Sequence, residues 1–137
     1  MQELRGGCHC GNITYTAEID SDKVGLCHCT DCQTLSGSAF SVMAMTREGA
    51  FELKSGELKV YIKTAESGNQ REQTFCPDCG TPFYATSVGD GPRVFNLRTG
   101  SIRQRKQLVP KRQVWIRSAH DWLGGIGEMP SLEKQGT

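Results

Sequence analysis

The sequence predicts an all-β fold built as two small antiparallel sheets. Three observations carry that expectation. Short segments alternate apolar and polar residues, turn-forming residues separate them at close intervals, and seven cysteines gather into three tight groups. Alternation with β-branched enrichment is the period-2 pattern of a half-buried strand. Residues 12–19 (NITYTAEI) show it first, and residues 39–45, 58–63, 73–75, 94–97 and 113–117 follow. Breaks fall at Ser55-Gly56, Ser67-Gly68-Asn69, Gly89-Asp90-Gly91-Pro92 and Thr99-Gly100, residue types that suit tight turns. One short helical turn is expected over residues 30–35. The chain reads as one domain over residues 1–123, with a Gly-rich and then polar tail over 124–137 that is expected to be flexible.

Composition narrows the function classes. With 137 residues, 36% hydrophobic and 23% charged, the chain has a modest core that needs support beyond packing. A net charge of +1 with mixed signs gives no strong pull towards nucleic acid or an anionic membrane. Five basic residues between Arg103 and Arg112 are the exception. No aromatic residues interleave them for base stacking, so a solvated hairpin connection around Pro110 is the better reading and no nucleic-acid partner is expected. No apolar run approaches the roughly 20 residues of a membrane helix. A cysteine motif begins at Cys8, which leaves no room for a signal peptide. A cytoplasmic protein without a membrane partner is therefore expected.

The cysteines are Cys8, Cys10, Cys27, Cys29, Cys32, Cys76 and Cys79. An odd number in a reducing compartment argues against a disulfide framework. Cys-x-Cys and Cys-x-x-Cys spacings bring sulfurs close enough to share a metal, whereas such near neighbours make strained disulfides. Cys8, Cys10, Cys76 and Cys79 form two distant pairs that together complete a four-thiolate site, the usual closed structural zinc. Joining them closes a long loop, but that entropy grows only logarithmically with length. Cys27, Cys29 and Cys32 supply three ligands, and three protein ligands with a free position is the pattern of a catalytic zinc. Two zinc ions per chain are expected, although a site drawing on His9 or His28 is a second possible division. Gly11 and Gly80 directly follow a metal pair, where a knuckle turns tightly and positive φ costs glycine little.

Other candidates are weaker. His9 and His28 are expected to point away from the converging sulfurs. His120, near Trp115 and Trp122, is a candidate acid, base or ligand for the open site. Asp31 is a candidate base, with a turn-capping carboxylate the commoner role. Ser36 and Ser38 are candidate substrate donors on a loop. Arg98 is a candidate carboxylate anchor, set against a solvated arginine at a strand end. Two functions stand at this point: a zinc enzyme, or a zinc-stabilised binding module without turnover. Exposed strand edges also make a homodimer possible.

The motifs Gly7-Cys8-His9-Cys10-Gly11-Asn12-Ile13-Thr14-Tyr15, Cys27-His28-Cys29-Thr30-Asp31-Cys32 and Phe75-Cys76-Pro77-Asp78-Cys79-Gly80-Thr81-Pro82 resemble the glutathione-dependent formaldehyde-activating enzyme family, which includes centromere protein V. Gly37-Ser38-Ala39-Phe40, Leu97-Arg98-Thr99-Gly100-Ser101 and the segment from Trp115 to Trp122 fit the same pattern. The resemblance implies a β-tent fold, with two sheets flanking the structural zinc. It implies the same division of cysteines, with Cys27, Cys29 and Cys32 at the catalytic metal. It also implies carbon–sulfur lyase chemistry, the reversible joining of glutathione and formaldehyde, with a small thiol or thiol adduct as partner.

Overall fold

The computed structural model describes residues 2–136. Eight strands form: β1 (Gln2–Gly7), β2 (Thr14–Cys27), β3 (Ser41–Ser55), β4 (Lys59–Thr64), β5 (Gln70–Phe75), β6 (Pro82–Ser87), β7 (Asn96–Arg98) and β8 (Arg112–Val114). Among the described residues one short α-helix, α1 (Thr30–Ser36), lies between β2 and β3. The protein is all-β, as its alternating segments predict.

Hydrogen bonding follows the path β1-β2-β3-β7-β6-β5-β4. The two expected sheets are its two lobes, β1-β2-β3 and β6-β5-β4. They are joined by three-residue β7, which pairs antiparallel with both β3 and β6. The edge of β2 is shared: its first half pairs with β1, and Gly25–Cys27 pairs with β8 in parallel. The basic connection before β8 is therefore no hairpin. It descends through a 3-10 turn at Arg105–Gln107 and crosses to a parallel strand.

Strand boundaries moved for identifiable reasons. β2 runs on to Cys27 past register shifts between Ile19 and Val24, which the polar run Asp20-Ser21-Asp22-Lys23 conceals in the sequence. β6 escaped the alternation test because Phe83, Tyr84, Ala85 and Thr86 are all buried, so it has no polar face to alternate. β1 has only Leu4 as a large apolar residue, though Leu4 and Gly6 are both buried. In the segment 113–117 the pairing stops at Val114. Trp115 takes the left-handed conformation at φ 59°, and Ile116–Ser118 form a 3-10 turn. Residues 124–128, the start of the expected tail, belong to a run of 3-10 turns over Asp121–Glu128.

The core lies between the lobes. Leu4, Ile13, Tyr15, Ile19, Val24, Phe83, Leu97 and Ile102 are buried there. Tyr15, Phe51, Phe83, Tyr84 and Phe95 form a chain of tilted and edge-to-face ring contacts, with centroids 4.8–5.5 Å apart. Such pairs add about 0.5–1.5 kcal/mol each beyond their buried area. The aromatic ladder joins β2 and β3 of one lobe to β6 of the other, and so fixes the approach of their turns.

Candidate metal centres

Two hairpin turns build the first centre. Cys8 and Cys10 lie in the turn between β1 and β2, and Cys76 and Cys79 lie in the turn between β5 and β6. Their four Sγ atoms lie within 4.8 Å of one another. Cys8 and Cys10 sulfurs are 3.4 Å apart, and Cys10 and Cys76 sulfurs 3.8 Å apart. Four sulfurs at about 2.3 Å from one ion in a tetrahedron stand about 3.8 Å apart, so this donor set fits zinc.

Each knuckle is shaped by its own backbone. Gly11 N–H donates to the Cys8 carbonyl and Gly80 N–H to the Cys76 carbonyl, with φ at +84° and +78°. These are the two glycines for which the sequence predicted a positive φ. Ile13 N–H donates to Cys8 Sγ at 3.3 Å, a bond that supports negative charge on that sulfur. Polar bonds also cross between the turns: Asn12 Nδ2 donates to Asp78 Oδ2 at 3.0 Å, and His9 N–H to Thr81 Oγ1 at 3.1 Å. The Thr81 hydroxyl, 3.2 Å from Cys79 Sγ, holds that thiol down at about 5. Thr81 was not singled out from the sequence. Its position directly after the Cys-Gly knuckle was the available signal.

The second centre is a strand-to-helix junction. Cys27 ends β2, Cys29 caps α1, and Cys32 lies in the helix's first turn. The three Sγ atoms lie within 4.8 Å of one another. Cys29 Sγ accepts from Cys32 N–H at 3.3 Å, an N-cap bond that satisfies one free helix donor. Cys32 is held down at about 5, first by the Cys27 thiol bonded to it and then by the Ser41 hydroxyl and the Arg98 charge. Cys27 is pushed up by the same contact and by burial. Among the described residues no histidine or carboxylate joins either sulfur cluster.

The remaining candidates resolve individually. His28 is buried, with Nε2 2.8 Å from Gln113 Oε1 and its ring edge-on to Phe40, so it faces away from the sulfurs. His9 is exposed. His120 is exposed and stacked on Trp122 at 5.7 Å, outside the three-sulfur cluster. The Asp31 carboxylate pairs with Lys63 Nζ at 2.9 Å. Ser36 and Ser38 line a cavity of about 740 Å3 that also meets Cys32, Ser41, Gln73, Tyr84 and Arg98. Arg98 does end β7, where it is half-buried and engaged by a neighbouring strand. Its Nη2 donates to Gln73 Oε1 at 3.3 Å, and Nη1 is buried without a protein acceptor. Burial lowers its pKa, while the nearby cysteines favour the charged form.

Fold and clusters together define a small all-β protein with a four-sulfur and a three-sulfur site, each able to hold a metal ion. Residues 3–118 match the sequence profile described as glutathione-dependent formaldehyde-activating enzyme, and the chain belongs to that family. An uncharacterized lyase of Schizosaccharomyces pombe is 30% identical over 97 residues, which cover 70% of this chain and 67% of that protein. A Phaeosphaeria nodorum protein, provisionally named a glutathione-dependent formaldehyde-activating enzyme, is 25% identical over 96 residues. That match covers 66% of this chain and half of the relative's length. A crystal structure of a Rhodobacter sphaeroides protein shares the fold at TM-score 0.61 and 17% identity, covering 80% of this chain and 99% of that one. Among the described residues no helix is long and apolar enough to cross a membrane.

Proposed function

We propose that this chain is a zinc-dependent carbon–sulfur lyase acting on a small thiol adduct, such as S-hydroxymethylglutathione formed from glutathione and formaldehyde. One observation carries the reading. Among the described residues three cysteine sulfurs converge with no fourth Cys, His or carboxylate ligand, and one of them, Cys32, lies on the wall of a cavity large enough for a small molecule. The names of the relatives, a lyase and a formaldehyde-activating enzyme, support the same class.

In this reading Cys8, Cys10, Cys76 and Cys79 hold a structural zinc, and Cys27, Cys29 and Cys32 hold the reactive one. When bound at the triplet, zinc supplies an open position that favours the thiolate form of a substrate thiol. The chain's own groups set the conditions around it. Arg98 places a positive charge beside three thiolates, which offsets the negative charge they bring to a divalent ion. Phe75, Pro82 and Tyr84 give the cavity an apolar wall. Asp31 is engaged by Lys63, so it is not a free base for this step.

The reaction balances without any redox partner. The thiol sulfur bonds to the carbonyl carbon, the carbonyl π pair moves to oxygen, and that oxygen takes the proton released by the thiol. The reverse step breaks the carbon–sulfur bond and returns both reactants. The test is to incubate the zinc-loaded protein with glutathione and formaldehyde and to follow adduct exchange by NMR. Exchange faster than the spontaneous reaction is expected, and an unchanged rate removes the formaldehyde reading.

A further inference from the structure

We propose that Gln33 is a positioning residue of the three-sulfur centre, and that through it the distant segment 112–118 sets the geometry at which Cys27, Cys29 and Cys32 meet a metal. Here the triplet is taken to hold a metal ion, as proposed above, and nothing is required of the lyase chemistry.

Packing holds α1 only weakly. None of its seven residues is buried, and Leu35, its one large apolar side chain, is exposed. A helix this short is marginal without tertiary support, yet it carries Cys32 and is capped by Cys29. Polar tethers must therefore fix its position. One is the ion pair of Asp31 with Lys63, whose carboxylate is open to solvent, and exposed pairs contribute little. The other is Gln33, half-buried and directly after Cys32. Its Nε2 donates to the His28 carbonyl at 2.8 Å and to the Ser118 carbonyl at 3.0 Å, which uses both donors of the amide.

Those two carbonyls lie at telling places. His28 stands between Cys27 and Cys29, and both of its backbone polar groups are fixed. Gln33 meets its carbonyl, and its N–H donates to the Val114 carbonyl at 3.1 Å. Its ring adds a third anchor, with Nε2 2.8 Å from Gln113 Oε1. Gln113, Val114 and Ser118 belong to one segment, and the pairs His28–Gln113 and Gln33–Ser118 are each 85 residues apart in sequence. Between the bonded carbonyls of Val114 and Ser118 the chain bends at Trp115, in the left-handed conformation at φ 59°. A large residue keeps that conformation only where its surroundings impose it. The Gln33 amide thus joins the loop between the first two sulfurs, the helix bearing the third, and the C-terminal segment. Groups that orient metal ligands without touching the metal change affinity by about 10–100-fold when removed.

The test reads metal affinity and not turnover. Zinc is withdrawn from the full-length protein by competition with a chelator, and Cys29→Ala identifies the step that belongs to the four-sulfur centre. Gln33→Met keeps the length and bulk of the side chain and removes both donors. It should weaken the three-sulfur site by about 10–100-fold, leave the four-sulfur step unchanged, and shift the visible bands of cobalt(II) bound at the triplet. Gln113→Ala, at an exposed position, should weaken the same site by a smaller factor. Thr34→Met, at an exposed position of the same helix, should change neither site. An unchanged three-sulfur site in Gln33→Met overturns the assignment. Equal weakening of both sites with a lowered melting temperature also overturns it, because that marks a general part in folding. Should Gln33→Met fail to fold, Gln113→Ala decides alone, and an unchanged three-sulfur site there overturns the link to the segment. A wild-type chain that holds one zinc overturns the assignment together with the two-zinc reading. A selective loss in Gln33→Met without NMR exchange in the wild type keeps the assignment and removes only the formaldehyde chemistry.

Discussion

Tyr15 joins packing to polarity within one side chain. Its ring lies against Phe51 and Phe83, and its hydroxyl is 2.7 Å from Ser101 Oγ. Burial pushes the phenol up to about 12 from its usual 10. The folded state therefore keeps a proton that the unfolded chain releases above pH 10. Stability from this group is fully present below pH 10 and is lost between pH 10 and 12, by about 1.4 kcal/mol per pH unit. Tyr15→Phe should remove that slope while costing about 1 kcal/mol at neutral pH through the lost hydroxyl bond. Urea unfolding at pH 7, 10 and 11 measures both, and a slope unchanged in the variant would show that Tyr15 is not its source. Arg98 marks the limit of reading at this scale. Its identity and its place at a strand end were visible in the chain. Whether solvent or Gln73 meets its guanidinium depends on β5, which lies far away in sequence.

Elements were legible where at least one face is wet and illegible where both are covered. β2 and β4 advertise themselves by alternation or β-branched content. β6 does not, because Phe83 to Thr86 are buried on both of its faces. β8 could be sensed as extended chain, but a parallel partnership with β2 is a property of the crossover and not of the residues Arg112–Val114. The β1–β2 pair shows a tighter constraint. A Cβ placed on Gly6 would lie 2.2 Å from Tyr15 Cζ, so only glycine lets the ring cross β1. Gly6→Ala should destabilise the protein by about 1–3 kcal/mol through overpacking. Gly100→Ala, where nothing lies within 4 Å of the new carbon, should change stability by less than about 1 kcal/mol. Thermal melts of the two variants compare them directly, and equal effects would contradict the close approach at Gly6.

Across the whole molecule the two cysteine centres have different mechanical positions. The four-sulfur centre ties the β1–β2 turn to the β5–β6 turn, and so joins the two lobes at their tips. The three-sulfur centre closes only the local junction from β2 into α1. In the proposed two-zinc reading, metal bound at the first would add to global stability, while at the second it would order a few residues. Cys76→Ala should unfold the domain, and Cys29→Ala should leave it folded with one zinc in place of two. Elemental analysis and circular dichroism on the purified variants check this, and equal unfolding by both would abolish the structural and reactive division. The sequence by itself determined the all-β class, the grouping of seven cysteines into a four and a three, and the glycine knuckles at Gly11 and Gly80. These are local facts, since ligand spacing, alternation and positive φ act over a few residues. Only the tertiary structure decided that the two lobes share one hydrogen-bonded path, that His28 faces Gln113, and that half-buried Arg98 meets Gln73 close to Cys32. Those outcomes depend on which distant strands meet, and a chain's long-range contacts are set by packing the whole core at once.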